Sequence, residues 1–363
     1  MNQLTLHEFH HHFGARFTTL NGREIIVDYG NLPAEYSALR ESAGVIDLSF
    51  RSRLCLVGVD RARFLHGQVT NDVKKLHTGE GCYAAITTAK GKMESDVNIF
   101  CLADELLLDF EPGLAEKISA RLEKFIVADD VQIVDAAPHY GLLSAQGPKA
   151  EAVIRALNLS PEIPPKPMAS VKISDPTLGE IYLANHARLG NGGFDLFVPN
   201  PALGAVADKL MAAAKMVGGL ACGWNAFETV RIERGIPRFG VDMDETNLPL
   251  ESGIESRAVV YNKGCYLGQE VINRVHSFGH VTKELRGLLL AEGATTLPAR
   301  GDKLFRDGKE VGYITSAAKS LKVGTNIALG YVRREVNQIG NELWLRTAAG
   351  ESTVKVAELP FAP

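Results

Sequence analysis

The sequence predicts an α+β body followed by a small all-β domain. Three observations carry this. At 363 residues the chain exceeds one typical domain, so more than one packing unit is expected. Up to about residue 280, strand-like runs mix with helical periodicity but without the regular βαβ alternation of a doubly wound sheet. After about Thr282 helical periodicity stops and short strand-like runs take over.

Within the body, Leu54–Val59 reads as a strand, and Asp60 as the N-cap of a helix through Phe64 and Leu65 that ends near Gly67. Leu106–Phe110 is a second strand-length apolar run. Pro112 and Gly113 then precede Leu114–Val127, where Leu114, Ile118, Leu122 and Phe125 recur at helical spacing. Pro161–Pro167 carries four prolines in seven residues and reads as a loop. Two further helices are predicted over Pro201–Met216 and Trp224–Arg234, the second stopped by Gly235 and Pro237. In the tail, Leu285–Leu290, Lys303–Phe305, Val311–Thr315, Ile327–Val332 and Leu343–Arg346 read as strands, with Asp307-Gly308 as a hairpin turn. A barrel or sandwich fits that spacing.

Composition narrows the function classes. Hydrophobic residues make up 45% and charged residues 23%, as in ordinary globular proteins. Lys plus Arg is 39 against 43 for Asp plus Glu, a formal charge of −4, so there is no global pull toward nucleic acid or anionic lipid. Five widely spaced cysteines, with no C-x-x-C pair, point to reduced thiols in place of a disulfide scaffold or zinc site. The N-terminal residues do not read as a secretory signal and no apolar run is long enough to span a bilayer, so a cytoplasmic location is expected.

The most informative motif is Lys263-Gly264-Cys265-Tyr266-Leu267-Gly268-Gln269-Glu270. Cys265 precedes a helical run, where unpaired amides and the dipole favour an anion, and Lys263 adds positive charge. Two readings stand: a reactive thiol, or a small residue in a glycine turn. The other four cysteines read as core residues. From Arg257 to Arg286, five basic residues face two acidic ones, either a solvated face or a docking patch for an anion. Upstream, Asp242, Asp244, Glu245, Glu251 and Glu255 begin like a calcium loop. Asn247 and Gly253 then stand where such a loop needs Gly and Glu, so no metal site is expected. His7, His10, His11 and His12 read as a surface helix. Gly190-Asn191-Gly192-Gly193 reads as a tight turn, because it lacks the phosphate-loop and dinucleotide patterns. Lys90–Phe100 runs from a glycine turn into a strand with Asp96 and Asn98 on one face, a carboxylate and an amide suited to the donor-rich edge of a heterocycle.

Together these stretches resemble the glycine-cleavage T-protein (aminomethyltransferase) superfamily. The likeness is carried by Gly14–Phe17, Arg40–Ser49, Thr70–Val73 and Arg231–Gly240. Gly67–Thr70, Ala89–Met93 and above all K-G-C-Y-x-G-Q-E resemble its YgfZ-type branch, folate-binding proteins linked to iron–sulfur cluster maturation. T-proteins carry an acidic residue and an aromatic where Cys265 and Tyr266 stand. The resemblance implies a three-lobed cloverleaf with a C-terminal β-barrel, divided as a folate-binding body of two lobes over 1–281 and a barrel over 282–363. It implies tetrahydrofolate or a one-carbon derivative as ligand. Tyr83 would stack on the pterin, Asp96 and Arg231 would hydrogen-bond to it, and Arg286 would pair with the glutamate tail, with Asp109 and Asn191 as further contacts.

Catalytic candidates are Cys265, Lys263 and Asp96. Two departures stand out. T-proteins carry adjacent aspartates where this chain has Ser95-Asp96, and an acidic residue where it has Asn191. The leading expectation is a tetrahydrofolate-binding accessory protein for iron–sulfur cluster assembly or repair, with client or assembly proteins as partners. The alternative is a folate-dependent aminomethyltransferase or demethylase.

Overall fold

The computed structural model describes residues 3–159, 162–291, 293 and 296–361. The chain divides into two compact units: residues 1–84 with 96–227, and residues 85–95 with 228–363. Among the described residues no helix is long and apolar enough to cross a membrane.

Two sheets build most of the first unit. One has six strands, in the order Ser170–Asp175, Gly179–Asn185, Gly193–Pro199, Tyr140–Gln146, Gly44–Asp47 and Leu220–Ala221. Its Phe194, Leu196 and Val198 alternate inward and pack in one core with Leu203, Val206, Ala207, Leu210 and Ala214 of the helix Leu203–Met216. Those spacings are the apolar stripe of a helix and the apolar face of a strand. Each large side chain buried there contributes roughly 1.5–3 kcal/mol. The helix stops where Gly218 turns to φ +80° and the Gly219 amide donates back to the Ala214 carbonyl at 2.8 Å.

The second sheet has five strands, ordered Gly81–Thr87, Met93–Cys101, Glu105–Phe110, Ser52–Val57 and Gln132–Asp135. Asp60 occupies the N-cap of the short helix Arg61–His66, as expected, but its side chain makes no capping hydrogen bond. Its carboxylate accepts the Asp130 amide at 3.0 Å and Arg63 Nε at 3.2 Å. The helix predicted to Val127 ends at Glu123, beyond which Phe125 is left 41% exposed. Pro161 lies outside the described residues, and 162–167 form neither helix nor strand.

The N-terminal histidines depart from the surface expectation. The helix His7–His12 buries His10, whose Nε2 lies 2.9 Å from Asp47 Oδ2 and whose Nδ1 lies 2.8 Å from the Tyr29 hydroxyl. A polar residue can be buried when both ring nitrogens find partners. Of the thiols read as core, Cys55 and Cys222 are buried, whereas Cys82 and Cys101 are only partly covered; Cys265 is exposed, and none of the five is in a disulfide.

The second unit is built around a closed six-stranded barrel: Lys283–Leu290, Asn326–Arg333, Lys309–Lys319, Lys303–Arg306, Glu342–Thr347 and Gly350–Ala357. Asp307 and Gly308 form its two-residue turn, with φ of +50° and +73° as a type I′ turn requires. The closing strand Gly350–Ala357 was not legible in the sequence. Glu351, Ser352, Thr353 and Lys355 mask the pattern, and only Val354 and Val356 reach the core.

Gly312 marks the tightest approach in the barrel, since a Cβ there would sit 2.1 Å from the Tyr331 carbonyl oxygen of the paired strand. Gly312→Ala is therefore expected to lower stability by about 1–3 kcal/mol, read from urea unfolding midpoints. An unchanged midpoint would show that the barrel yields at this point.

Candidate functional site

The strand Met93–Cys101 follows a turn at Gly91, which adopts φ +71°. Period-two alternation puts Met93, Ser95 and Val97 on its buried face and Glu94, Asp96 and Asn98 on the other. Ser95 is fully buried, whereas Asp96 is partly exposed. Tyr83, on the strand Gly81–Thr87, donates its hydroxyl to Asp96 Oδ2 at 2.8 Å.

Beside this pair lies a buried ionic network. Asn98 donates to Asp109 Oδ2 at 3.0 Å. Arg51 donates through Nε to Asp109 Oδ1 at 2.8 Å and through Nη1 to Glu111 at 2.9 Å. Arg188 reaches Asp109 at 2.8 Å with Nη2 and Asp195 at 2.9 Å with Nε. Asp195 also meets His186 Nδ1 at 2.8 Å and accepts from the Ser144 hydroxyl at 2.7 Å.

The electrostatics follow from these contacts. Burial alone would push the Asp109 carboxyl up, but Arg188 and Arg51 outweigh it and hold the group well below the usual carboxylate range. Burial and the neighbouring Glu111 carboxylate push Asp96 up to about 6, against the Tyr83 hydrogen bond and Arg51. Burial and then Arg188 push His186 down, opposed by Asp195. Asp96 is thus a carboxyl that exchanges its proton close to neutrality, a property suited to general acid–base work.

Other predicted residues are placed as follows. Asn191 sits in the expected turn, between Gly190 at φ +74° and Gly192 at φ +96°. Its amide donates to the Leu39 carbonyl at 2.8 Å, and its Oδ1 is buried without a partner. In the second unit, Arg231 is 2% exposed. Its guanidinium donates to Glu228 at 2.9 and 2.8 Å and to Asp242 at 2.5 Å. Asp242 also accepts from Thr315 and Ser316, so the acidic stretch that begins like a calcium loop serves ion pairing. Among the described residues, no group of three His, Cys, Asp or Glu side chains could hold a metal ion.

Arg286, on a barrel strand, pairs with Glu284 and keeps a buried Nε without a partner. Much of the basic patch is partnered in the same way. His276 meets Glu255 at 2.8 Å, and the Lys283 ammonium lies 4.6 Å from the Tyr331 ring centre.

The signature motif folds onto the hairpin tip within the second unit. Thr87 Oγ1 donates to the Leu267 carbonyl at 2.6 Å. Gly268 turns at φ +91°, and a Cβ there would stand 2.5 Å from the Thr88 carbonyl oxygen. The helix begins only at Gln269, so Cys265 lies three residues before its N-cap Gly268 instead of on its first turn. Lys263 is 8% exposed, with its ammonium 4.9 Å from the Tyr266 ring centre.

The structure therefore places Tyr83 and Asp96 as a pair beside the Asp109 network in the first unit, and Arg231, Lys263, Cys265 and Arg286 in the second. Sequence reading missed Arg51, Glu111, His186, Arg188 and Asp195. The available signal was a carboxylate within an apolar strand, as in Leu106–Phe110 and Phe194–Val198, because such a charge must be met by a buried cation.

Known families match this architecture. The profile of the GCVT N-terminal domain matches residues 6–263, and that of the glycine cleavage T-protein C-terminal barrel domain matches residues 283–362. The chain belongs to the glycine cleavage T-protein family. The aminomethyltransferase of Bacillus subtilis (strain 168) is 26% identical, with 99% of each chain covered. That of Cupriavidus necator (strain ATCC 17699) is 28% identical, with 98% of this chain and 96% of the relative covered. The crystal structure of the glycine cleavage system aminomethyltransferase T from Bartonella henselae superposes with a TM-score of 0.89. It is 23% identical and covers 99% of this chain and 98% of that one, which establishes a T-protein-like α+β fold ending in a β-barrel.

The raised Asp96 value has a consequence for stability. Asp96 takes its proton at about 6 in the folded chain and at roughly 3.9 in an unfolded one. Folding therefore favours the protonated form. The associated stability is complete below roughly 3.9 and is lost as the pH rises through about 6. Asp96→Asn removes this loss, so the variant is expected to gain on wild type in urea midpoint as the pH rises from about 4 to about 6. Parallel midpoint curves would contradict the placement of the carboxyl.

Proposed function

We propose that this chain binds tetrahydrofolate or a one-carbon derivative and transfers a one-carbon unit in the manner of an aminomethyltransferase, with Asp96 exchanging the proton. The observation that supports this is the partly buried Asp96 carboxyl, held by Tyr83 and poised at about 6. Moving a one-carbon unit on or off a folate nitrogen needs a proton delivered and removed there, and a group titrating near working pH does both. Tyr83 offers its ring to the pterin and its hydroxyl to Asp96. Asp109, committed to two arginines, supports the site through Arg51. The relatives named aminomethyltransferase favour this reading. Residues 1–281 are assigned to the folate-binding body and 282–363 to the barrel, in keeping with a barrel profile that begins at 283.

With saturating tetrahydrofolate, an aminomethyl-lipoyl carrier is expected to give methylene-folate with release of ammonia and the dithiol, and a methylamine-type donor to give methyl-folate and the demethylated amine. Asp96→Asn should lower kcat by about 10²–10⁴-fold while folate affinity stays within a few-fold. Tight folate binding by the wild type with no turnover of either donor would overturn the transfer reading.

One observation favours a second reading. Cys265, in K-G-C-Y-L-G-Q-E, is an exposed free thiol. It suits a folate-binding accessory protein of the YgfZ type that supports iron–sulfur cluster assembly or repair. A cluster normally takes four protein ligands, so one thiol would act transiently or with a partner's ligands. On this reading Cys265→Ala lowers the activity of cluster-containing enzymes in cells under oxidative stress. Unchanged activity would remove the thiol from the function.

A further inference from the structure

A cavity of about 320 Å³ lies between the two sheets of the first unit. Strand pairing locates it. Arg53 stands opposite Asp109, Cys55 opposite Leu107 and Val57 opposite Glu105, so these six side chains share one sheet face. All of them except Asp109 line the cavity. On the neighbouring strand Asn98 is opposite Asp109 and Phe100 opposite Leu107, which sets Asp96 on the far side of Asp109. The cavity therefore starts where the Asp109 network ends and runs away from Asp96. From the six-stranded sheet, Phe197 and its cross-strand neighbour Tyr182 close it, together with Tyr140. The Tyr140 and Tyr182 ring centres are 6.4 Å apart and tilted by 51°. Its volume is within the range of small-molecule sites.

One buried charge stands in this largely apolar wall. Arg53 is 1% exposed. Its Nη1 donates to the Arg51 carbonyl at 3.0 Å, and its Nη2 to the Ser49 and Tyr140 carbonyls at 3.1 and 2.8 Å. Its Nε is buried without a partner. None of these partners is a carboxylate. Asp109 is taken by Arg51, Arg188 and Asn98, and Asp47 by His10 and the Ser49 amide. Burial pulls the Arg53 guanidinium down to about 10, although Asp109, Asp47 and Asp135 act against it. A buried cation faced only by carbonyls is short of negative charge. The other ionisable groups near solvent are Glu105, partly exposed, and His139, exposed. Glu105 is paired with Val57, four residues along the strand from Arg53, which is roughly 13 Å. Its charge therefore belongs to the opposite end of the lining.

We propose that this cavity binds a small monocarboxylate with an aromatic or branched apolar body, its acid on the Arg53 guanidinium and its body between Leu107, Tyr182 and Phe197. The acid supplies the charge that Arg53 lacks, in a setting where a charge-assisted hydrogen bond is strong. The rings of Tyr182 and Phe197 favour an aromatic body.

The test is ligand-detected saturation-transfer NMR on the full chain without folate, with hydrocinnamate and its neutral counterpart hydrocinnamyl alcohol as probes. The acid is expected to bind with a Kd of about 1 mM or below. The alcohol should bind at least about tenfold more weakly, because it cannot answer the buried charge. Val134 stands opposite Cys55 and is 43% exposed, so Val134→Trp fills the mouth from the surface. It should abolish saturation transfer to both probes. Arg53→Met should erase the preference for the acid and keep binding of the alcohol. If that variant loses its folded circular-dichroism spectrum, the probe comparison and Val134→Trp decide by themselves. Equal affinity for acid and alcohol in the wild type, or acid binding that survives Val134→Trp, overturns the site. So does an absence of saturation transfer to the acid at about 10 mM.

Discussion

Asp109 between Arg51 and Arg188 is the interaction on which the first unit depends. Arg188 lies beside the six-stranded sheet and bonds at once to Asp109 of the five-stranded sheet and Asp195 of its own. One guanidinium thus ties two sheets through fully buried carboxylates. Such a network adds little net stability over an apolar core of the same shape. Removing one member is another matter, because it strands a buried charge at a cost of about 3–5 kcal/mol. What the network supplies is register. The sheets can slide only by breaking charge-assisted hydrogen bonds, so Arg51 stays placed beside Glu111, and Asp96 keeps its surroundings.

The same device recurs in the second unit. Arg231 is clasped by Glu228 and Asp242, and Asp242 takes the hydroxyls of Thr315 and Ser316 on a barrel strand. A helix and the barrel are joined there by one neutralised cation. In both units, residues that look like ligand contacts in the sequence are also the buried ions that hold elements together. Asp96 accepts the Tyr83 hydroxyl, and burial lifts its titration to about 6.

Much of the fold was legible in the sequence. The helix Leu203–Met216, the Asp307-Gly308 turn and the β-rich tail follow from periodicity and turn chemistry, which are local properties. The pairing of Asp96 with Asn98 on one strand face was legible for the same reason. The strand Gly350–Ala357 was not, because its polar outward residues disguise two inward valines whose partners lie elsewhere in the barrel. His10 was read as a surface residue because its partner Asp47 lies 37 residues away.

By itself the sequence determined the α+β body, the β tail and the family likeness carried by its motifs. Local spacing and residue chemistry suffice for those. Only the tertiary structure decided which groups each carboxyl meets. Asp96, Asp109 and Glu111 are alike as residues and close in sequence. Arg188, far along the chain, is brought to Asp109, and Arg51 is set between Asp109 and Glu111, whereas Asp96 accepts the Tyr83 hydroxyl. No linear pattern records which cation each carboxyl will meet.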